Sequence, residues 1–202
     1  MQIGFGLSHP GTVPLCSIMD AWKLYRMKFR YLLILFMVLA TLSAASERLQ
    51  HNDLSKLAKS AKKEKLPILL IVSQHHCPFC VRLKREIIFP MQLSGDYQDR
   101  VIMVEILLDS ADSIRDLDGN LVHPSQIGTA YNVWVTPTLL FLDHTGREVH
   151  RRMLGVNTIE MYGHYLDESL QAALGAVKKG DRSYTPTVKD IQGDAPGYDQ
   201  LY

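Results

Sequence analysis

The sequence has few cysteines, almost no net charge and no internal repeats. Its 202 residues include three cysteines and carry a formal net charge of +1. No cluster of basic residues is interleaved with aromatic residues, so the composition gives no support to nucleic-acid binding. The hydrophobic fraction of 47% is ordinary for a globular protein, and the chain is long enough for one domain with its own core.

A long hydrophobic run is also missing. The apolar stretch near the N-terminus, residues 31–42, is about 12 residues long, short of the ~20 that span a bilayer. It follows Lys28 and Arg30 and precedes small residues, the order found in a secretory signal peptide. We predict a signal peptide over residues 27–45, cleaved after Ala45, with residues 1–26 as an upstream extension before an internal start. The alternative is an uncleaved anchor that holds the protein on the membrane.

Cleavage after Ala45 would remove Cys16 and leave Cys77 and Cys80, in the stretch "HHCPFC". This C-x-x-C pair admits three interpretations: a redox dithiol, part of a copper or zinc site, or a structural disulfide. A structural zinc site normally needs a second ligand pair, and no other cysteine remains. A two-residue loop is also a poor staple, since stabilisation by a disulfide grows with loop length. A secreted location would place the pair where disulfides persist.

Hydrophobic periodicity predicts the order helix, strand, helix, strand, helix, strand, strand, helix. Residues 53–65 and 157–177 have helical stripes. Residues 66–73 and 101–109 have the pattern of buried strands, and residues 136–153 that of a hairpin. A further helix begins at the cysteines and ends before Pro90, and residues 125–131 form a short one. The fold class predicted is α/β, a mixed central sheet with helices on both faces. We expect disorder over residues 179–202, which lack periodicity.

From residue 53 to residue 177 the chain resembles the thioredoxin superfamily, and the domain is assigned to residues 46–178. Three features carry the resemblance: a buried strand running into C-x-x-C at a helix start, the segment "YNVWVTPTLLFLDHTG", and Gly155 before the last helix. Within the superfamily the sequence looks most like secreted bacterial thioredoxins associated with sulfur oxidation or disulfide reduction. The resemblance implies the thioredoxin fold and a cis peptide bond between Thr136 and Pro137, packed against the disulfide.

Thiol-disulfide exchange needs an attacking thiolate and a second thiol to resolve the mixed disulfide. At a helix N-terminus Cys77 would be the nucleophile, because free N–H groups and the helix dipole favour an anion. Cys80, one turn further, would be the resolving cysteine. Protonated His75 and His76 would lower the pKa of Cys77 further, or both are exposed loop residues that only flank the site.

Four further positions support the expected site. Phe79 offers a substrate an apolar contact or simply packs, and Thr136 would bind an extended peptide beside Pro137, as the family does. Glu105 either faces solvent or lies near the dithiol as a proton relay. The buried acid of thioredoxins is replaced by Ile71, and Glu105 occupies the position of their strand lysine.

We therefore predict a periplasmic thiol-disulfide oxidoreductase, an enzyme that reduces disulfides through Cys77 and Cys80. No cofactor and no metal are expected, since the redox group is the disulfide itself. The expected partners are protein disulfide substrates and a membrane thiol-disulfide carrier, with no nucleic acid, and the protein is expected to be a monomer. Alternatives are a disulfide isomerase, a copper-handling thioredoxin-like protein, and a binding module with a structural disulfide.

Overall fold

The computed structural model describes residues 49–193. The predicted upstream extension and signal peptide, and residues 194–202 of the predicted tail, lie outside this range. Within it, no helix is long and apolar enough to cross a membrane.

The predicted helices and strands are present in the predicted order, with short elements added between and after them. The helices are α1 Leu54–Glu64, α2 Pro78–Leu83, α3 Phe89–Ser94, α4 Pro124–Ala130, α5 Ile159–Lys179 and α6 Val188–Gln192. The strands are β1 Ile68–Ser73, β2 Ile102–Leu107, β3 Ile114–Arg115, β4 Leu121–Val122, β5 Thr138–Leu142 and β6 Glu148–Leu154. The small β3–β4 hairpin was not predicted, although its turn contains the Asp118-Gly119-Asn120 signal that marks a turn.

The main sheet has four strands in the order β2-β1-β5-β6. Strands β1 and β2 are parallel, while β5 runs antiparallel to β1 and to β6. The mixed sheet is therefore confirmed. Residues 49–50 pair with the outer edge of β2 through a parallel bridge between Gln50 and Glu105. In it the Glu105 N–H donates to the Leu49 carbonyl at 2.7 Å.

The sheet separates two hydrophobic cores, as strands with both faces covered require. Alternate residues of β1 point to opposite sides: Leu69 and Ile71 pack under α3 and α5, whereas Leu70 and Val72 pack under α1 and α4. Helices therefore lie on both faces, as predicted.

The helix that follows the cysteines does not end before Pro90, so that prediction was wrong. A π-helical turn, Lys84–Ile88, joins α2 to α3. In this wider turn the Phe89 N–H donates to the Lys84 carbonyl. Pro90 then occupies the first turn of α3, the part of a helix that best tolerates a residue without an N–H.

The expectation of disorder from residue 179 was also wrong for the part of the tail that the structure describes. Helix α5 continues to Lys179, and residues 181–193 pack along β6. Arg147 donates to the carbonyls of Asp181, Arg182 and Tyr184. Hydrogen bonds to its backbone carbonyls hold this segment in place. It therefore needs no apolar stripe, and its sequence shows no hydrophobic periodicity.

Candidate active site

Four segments meet at one edge of the main sheet. Strand β1 ends there at Ser73, just before the cysteines. Because β5 is antiparallel to β1, with Val72 opposite Thr138, the residues before β5 lie at the same edge. Thr138 is in turn opposite Leu154, which brings the end of β6 to this edge as well. The topology therefore assembles the site from residues as far apart in the sequence as Ser73 and Leu154.

Cys77 and Cys80 form a disulfide at the start of α2. Cys77 is the N-cap residue, in extended conformation, and Pro78 occupies the first helical turn. The Cys80 N–H points at the Cys77 sulfur, with 3.1 Å between N and Sγ. The side chain of Cys77 thus takes the place of the oxygen that usually caps a helix. When the disulfide is reduced, the same N–H and the helix dipole favour a thiolate at Cys77.

The two sulfurs differ in their access to solvent. Cys77 is 7% exposed and Cys80 only 1% exposed. An incoming disulfide can therefore reach Cys77 more easily than Cys80, and this difference matches an attacking and a resolving thiol.

The Thr136-Pro137 peptide bond is cis, and it lies against the disulfide. The Thr136 carbonyl oxygen and hydroxyl oxygen are each 3.6 Å from the Cys77 sulfur. Pro137 is buried, and its carbonyl accepts a hydrogen bond from the Gly155 N–H at 2.8 Å. The loop before α5 is thereby hydrogen-bonded to the proline loop beside the Cys77 sulfur.

This arrangement of a disulfide at a helix start facing a cis-proline agrees with what a comparison of the sequence finds. A family model described as a thioredoxin-like domain matches residues 54–170, more than half of the chain. The chain belongs to the thioredoxin-like family. The redox group of such a protein is the disulfide within its own polypeptide, here Cys77–Cys80.

Solved structures resemble this thioredoxin-like protein in fold at low sequence identity. Thioredoxin h from poplar is 18% identical, with 56% of this chain and 85% of that chain covered and a TM-score of 0.40. A DsbH oxidoreductase is 18% identical, with coverage of 63% and 85% and a TM-score of 0.47. A thioredoxin-fold protein from Helicobacter pylori is 19% identical, with coverage of 58% and 89% and a TM-score of 0.38. No curated protein sequence is significantly similar to the chain.

The two histidines before Cys77 have different surroundings. His75 is held by Asp109, whose carboxylate accepts from the His75 backbone N–H at 3.0 Å and contacts its Nδ1 at 2.9 Å. These hydrogen bonds, that from the backbone above all, lower the pKa of Asp109. His76 is exposed and makes no hydrogen bond or ion pair with the residues that the structure describes. Phe79 is likewise exposed, at 57%.

Glu105 is only 3% exposed and does not face solvent. It lies on the face of β2 that is covered by the helix carrying Lys84. Its Oε1 lies 2.8 Å from Lys84 Nζ. The contact is an ion pair without the directed geometry of a hydrogen bond. Lys84 follows Cys80 by four residues, so the two share a face of the helix that begins at the disulfide. The Lys84–Glu105 pair therefore lies on the side of the helix that carries Cys80.

Sequence reasoning missed Asp109, Lys84 and Gln74, which accepts a hydrogen bond from the Thr136 hydroxyl at 3.1 Å. Asp109 could have been found, since it lies two residues beyond the end of the strand that runs parallel to β1, and the ends of neighbouring parallel strands lie together. Over residues 49–193, no three side chains of His, Cys, Asp or Glu come together as a metal site.

Proposed function

We propose that this thioredoxin-like protein is a thiol-disulfide oxidoreductase that reduces disulfides in extended segments of other proteins. The observation that carries the proposal is the position of Cys77, at the N-cap of α2 and 3.6 Å from the Thr136 carbonyl. There its thiolate is stabilised by the helix N-terminus. A peptide that pairs with the backbone of Thr136 places its own sulfur next to Cys77.

The reaction has two exchange steps. The Cys77 thiolate attacks one sulfur of the substrate disulfide, whose S–S bond breaks, so that a mixed disulfide forms and the other substrate sulfur leaves as a thiolate and takes up a proton. Cys80 then loses its proton and attacks the Cys77 sulfur. The Cys77–Cys80 bond forms, the second substrate thiol is released, and two electrons have passed from the protein to the substrate.

Burial makes the second step depend on a proton acceptor, because a thiolate at Cys80 would form at a nearly inaccessible sulfur. We propose Glu105 for this role. It is the buried carboxylate on the Cys80 side of the helix, and Lys84 Nζ lies 2.8 Å from its Oε1.

We further propose that the protein works in the periplasm and that a membrane thiol-disulfide carrier returns it to the dithiol form. The signal-peptide pattern of residues 27–45 supports this location. A periplasmic reductase requires electrons from across the membrane, since the disulfides of that compartment persist. Mass spectrometry of the N-terminus of the secreted protein would test this, with residue 46 as the expected first residue.

The test of the activity is the cleavage of insulin disulfides with dithiothreitol as the reductant. The wild-type protein should accelerate the reaction, and Cys77→Ser should abolish the acceleration. Cys80→Ser should accumulate a covalent mixed disulfide through Cys77, because the resolving thiol is missing. Unchanged cleavage by Cys77→Ser would contradict the proposal.

Titration of the disulfide against glutathione tests the direction. A reductase should have a potential near that of thioredoxin, about −270 mV, whereas a strong oxidant lies near −120 mV. A value in the oxidant range would contradict the reductase assignment while leaving the exchange chemistry intact.

A further inference from the structure

A cavity of about 610 Å³ opens beside the proline loop, at the edge of the sheet where the disulfide lies. It begins at Trp134 and Val135, which directly precede Thr136, and continues past Gly155 to the first turns of α5. Its volume is within the range of about 300–1,000 Å³ typical of sites for small molecules or large side chains. The reaction described above does not use it.

The segment that follows helix α5 forms one wall of this cavity. Asp190, Gln192 and Gly193 line it. The segment is anchored at two points: Arg151 Nε lies 3.1 Å from Asp190, and the Trp134 indole N–H donates to the Ile191 carbonyl at 2.7 Å. Asp190 also accepts from the N–H of Thr187 in a capping box. The C-terminal segment is therefore part of the surface next to the sulfur.

Aromatic side chains provide exposed apolar surface in the cavity. Trp134 and Tyr165 of α5 both line it, and each is 53% exposed. Tyr162 also lines the cavity but is only 5% exposed, and its hydroxyl is enclosed by protein atoms, so it contributes the surface of its ring. Aromatic walls of this kind favour an aromatic occupant.

The charged groups around the cavity are already paired. Arg151 is bound to Asp190, and the buried Arg152 is bound to Glu148. Burial lowers the pKa of His150. A charged ligand group would therefore gain little here. An aromatic side chain matches the walls, and the cavity continues the path of a substrate polypeptide along the proline loop.

Distance along the chain connects the cavity to the sulfur. The Thr136 carbonyl is 3.6 Å from Cys77 Sγ, and an extended polypeptide advances about 3.3 Å per residue. A peptide that runs along residues 134–136 with its cysteine at Cys77 would bring a residue about two positions away to Trp134. That residue can place its side chain in the cavity.

We infer that this cavity is a specificity site for an aromatic residue of the substrate polypeptide, about two positions from its reactive cysteine. The inference rests on the proposed function and adds the substrate class to it. The C-terminal segment provides one wall, so it takes part in substrate selection.

The test uses short peptides that carry one cysteine in a mixed disulfide with glutathione. Phenylalanine or serine is placed at each position from three before to three after the cysteine, and kcat/KM is measured with the wild-type full chain. We expect phenylalanine to be preferred at least tenfold at one position about two residues away, the discrimination that an apolar pocket achieves. Calorimetry with the same peptides, with serine in place of cysteine, measures binding without turnover.

Two variants locate the site and one serves as control. Ser169→Phe fills the cavity from α5 and should bring the ratio of phenylalanine to serine peptides close to one. Asp190→Ala removes the contact between the C-terminal segment and Arg151 and should lower this ratio. Glu168→Phe places the same side chain at the adjacent, exposed position outside the cavity and should keep the wild-type ratio. Circular dichroism checks that each variant is folded.

Equal kcat/KM for all peptides, or a ratio unchanged in both cavity variants, would overturn the inference and leave the proposed function standing. Absence of turnover with every peptide would overturn the proposed function; an aromatic preference in calorimetry would then still support the site. Two other occupants are tested in parallel. A chain ending at Gly193 that binds every peptide more than tenfold better would assign the cavity to the protein's own C-terminus. A dimer dissociated by Ser169→Phe would assign it to a second copy.

Discussion

Removal of one partner of the buried Lys84–Glu105 pair should be strongly destabilising, because the other charge is left without its partner, and this gives a quantitative test. The side chain of Glu105 is 2% exposed and that of Lys84 is 19% exposed, with 2.8 Å between their charged atoms. Breaking a fully buried pair by removing one partner costs about 3–5 kcal/mol. Because Lys84 can turn its ammonium group toward solvent, we expect Glu105→Gln to lower the free energy of unfolding by about 2–3 kcal/mol. Urea unfolding of the oxidised protein measures this loss.

A double-mutant cycle with Lys84→Met isolates the pair. The double variant should lose less than the sum of the single variants, with a coupling free energy of about 1.5–3 kcal/mol. Glu86→Gln is the matched control, since Glu86 pairs with Arg82 and Arg85 on the exposed side of the same helix. Exposed ion pairs contribute little, so this variant should leave stability nearly unchanged. A coupling free energy below about 0.5 kcal/mol would refute the reasoning.

The same variant tests the proton role of Glu105. If Glu105 accepts the proton of Cys80, the rate of Cys80 alkylation in reduced Cys77→Ser should follow a different pH profile when Glu105→Gln is added. An identical profile would remove Glu105 from the mechanism.

Three further predictions concern stability. The hydrogen bonds from His75 lower the pKa of Asp109. They stabilise the folded state fully above the ordinary pKa of an aspartate, and this stabilisation is lost as the pH falls through the lowered pKa. In Asp109→Asn the free energy of unfolding in urea should therefore depend less on pH between about pH 4 and pH 3, and an unchanged slope would contradict this. Burial lowers the pKa of His150 from 6.5. The unfolded chain therefore takes up a proton more readily than the folded protein, and stability falls as the pH falls. His150→Gln should reduce this loss between about pH 7 and pH 5, as measured by the thermal unfolding temperature at each pH. Gly146 has φ +81°, and an added Cβ would lie 2.8 Å from Leu117 Cδ1, so Gly146→Ala should cost about 1–3 kcal/mol. The control Gly175→Ala, in helix α5 with nothing within 4 Å, should instead gain about 0.5–1 kcal/mol.

The secondary structure could be predicted because it depends on local patterns. The stripe of Leu54, Ala58 and Ala61 recurs at helical spacing, and all three residues are buried in α1. The run "ILLIVS" is buried at every position of β1. The prediction that the helix ends before Pro90 was wrong because a π-helical turn, which has no clear sequence signal, precedes the proline. The helical path continues through this turn into α3.

The environment of the site residues could be predicted only in part. The spacing of Cys77, Pro78 and Cys80 is itself enough to place an N-cap before a helix. Whether Glu105 faces solvent or protein depends on which side of β2 is covered by the helix that carries Lys84. The role of Asp109 depends on the pairing of β1 with β2, which joins residues 34 positions apart.

The sequence by itself determined the main strands and long helices, their order and the pair of sulfurs, because hydrophobic periodicity and helix capping act over a few residues. Only the tertiary structure decided which charges are paired, and only it turned an aperiodic C-terminal segment into a wall of the cavity beside the disulfide. The physical reason is that these contacts join side chains to backbone carbonyls and carboxylates of distant segments. Such contacts leave no periodic trace in the sequence.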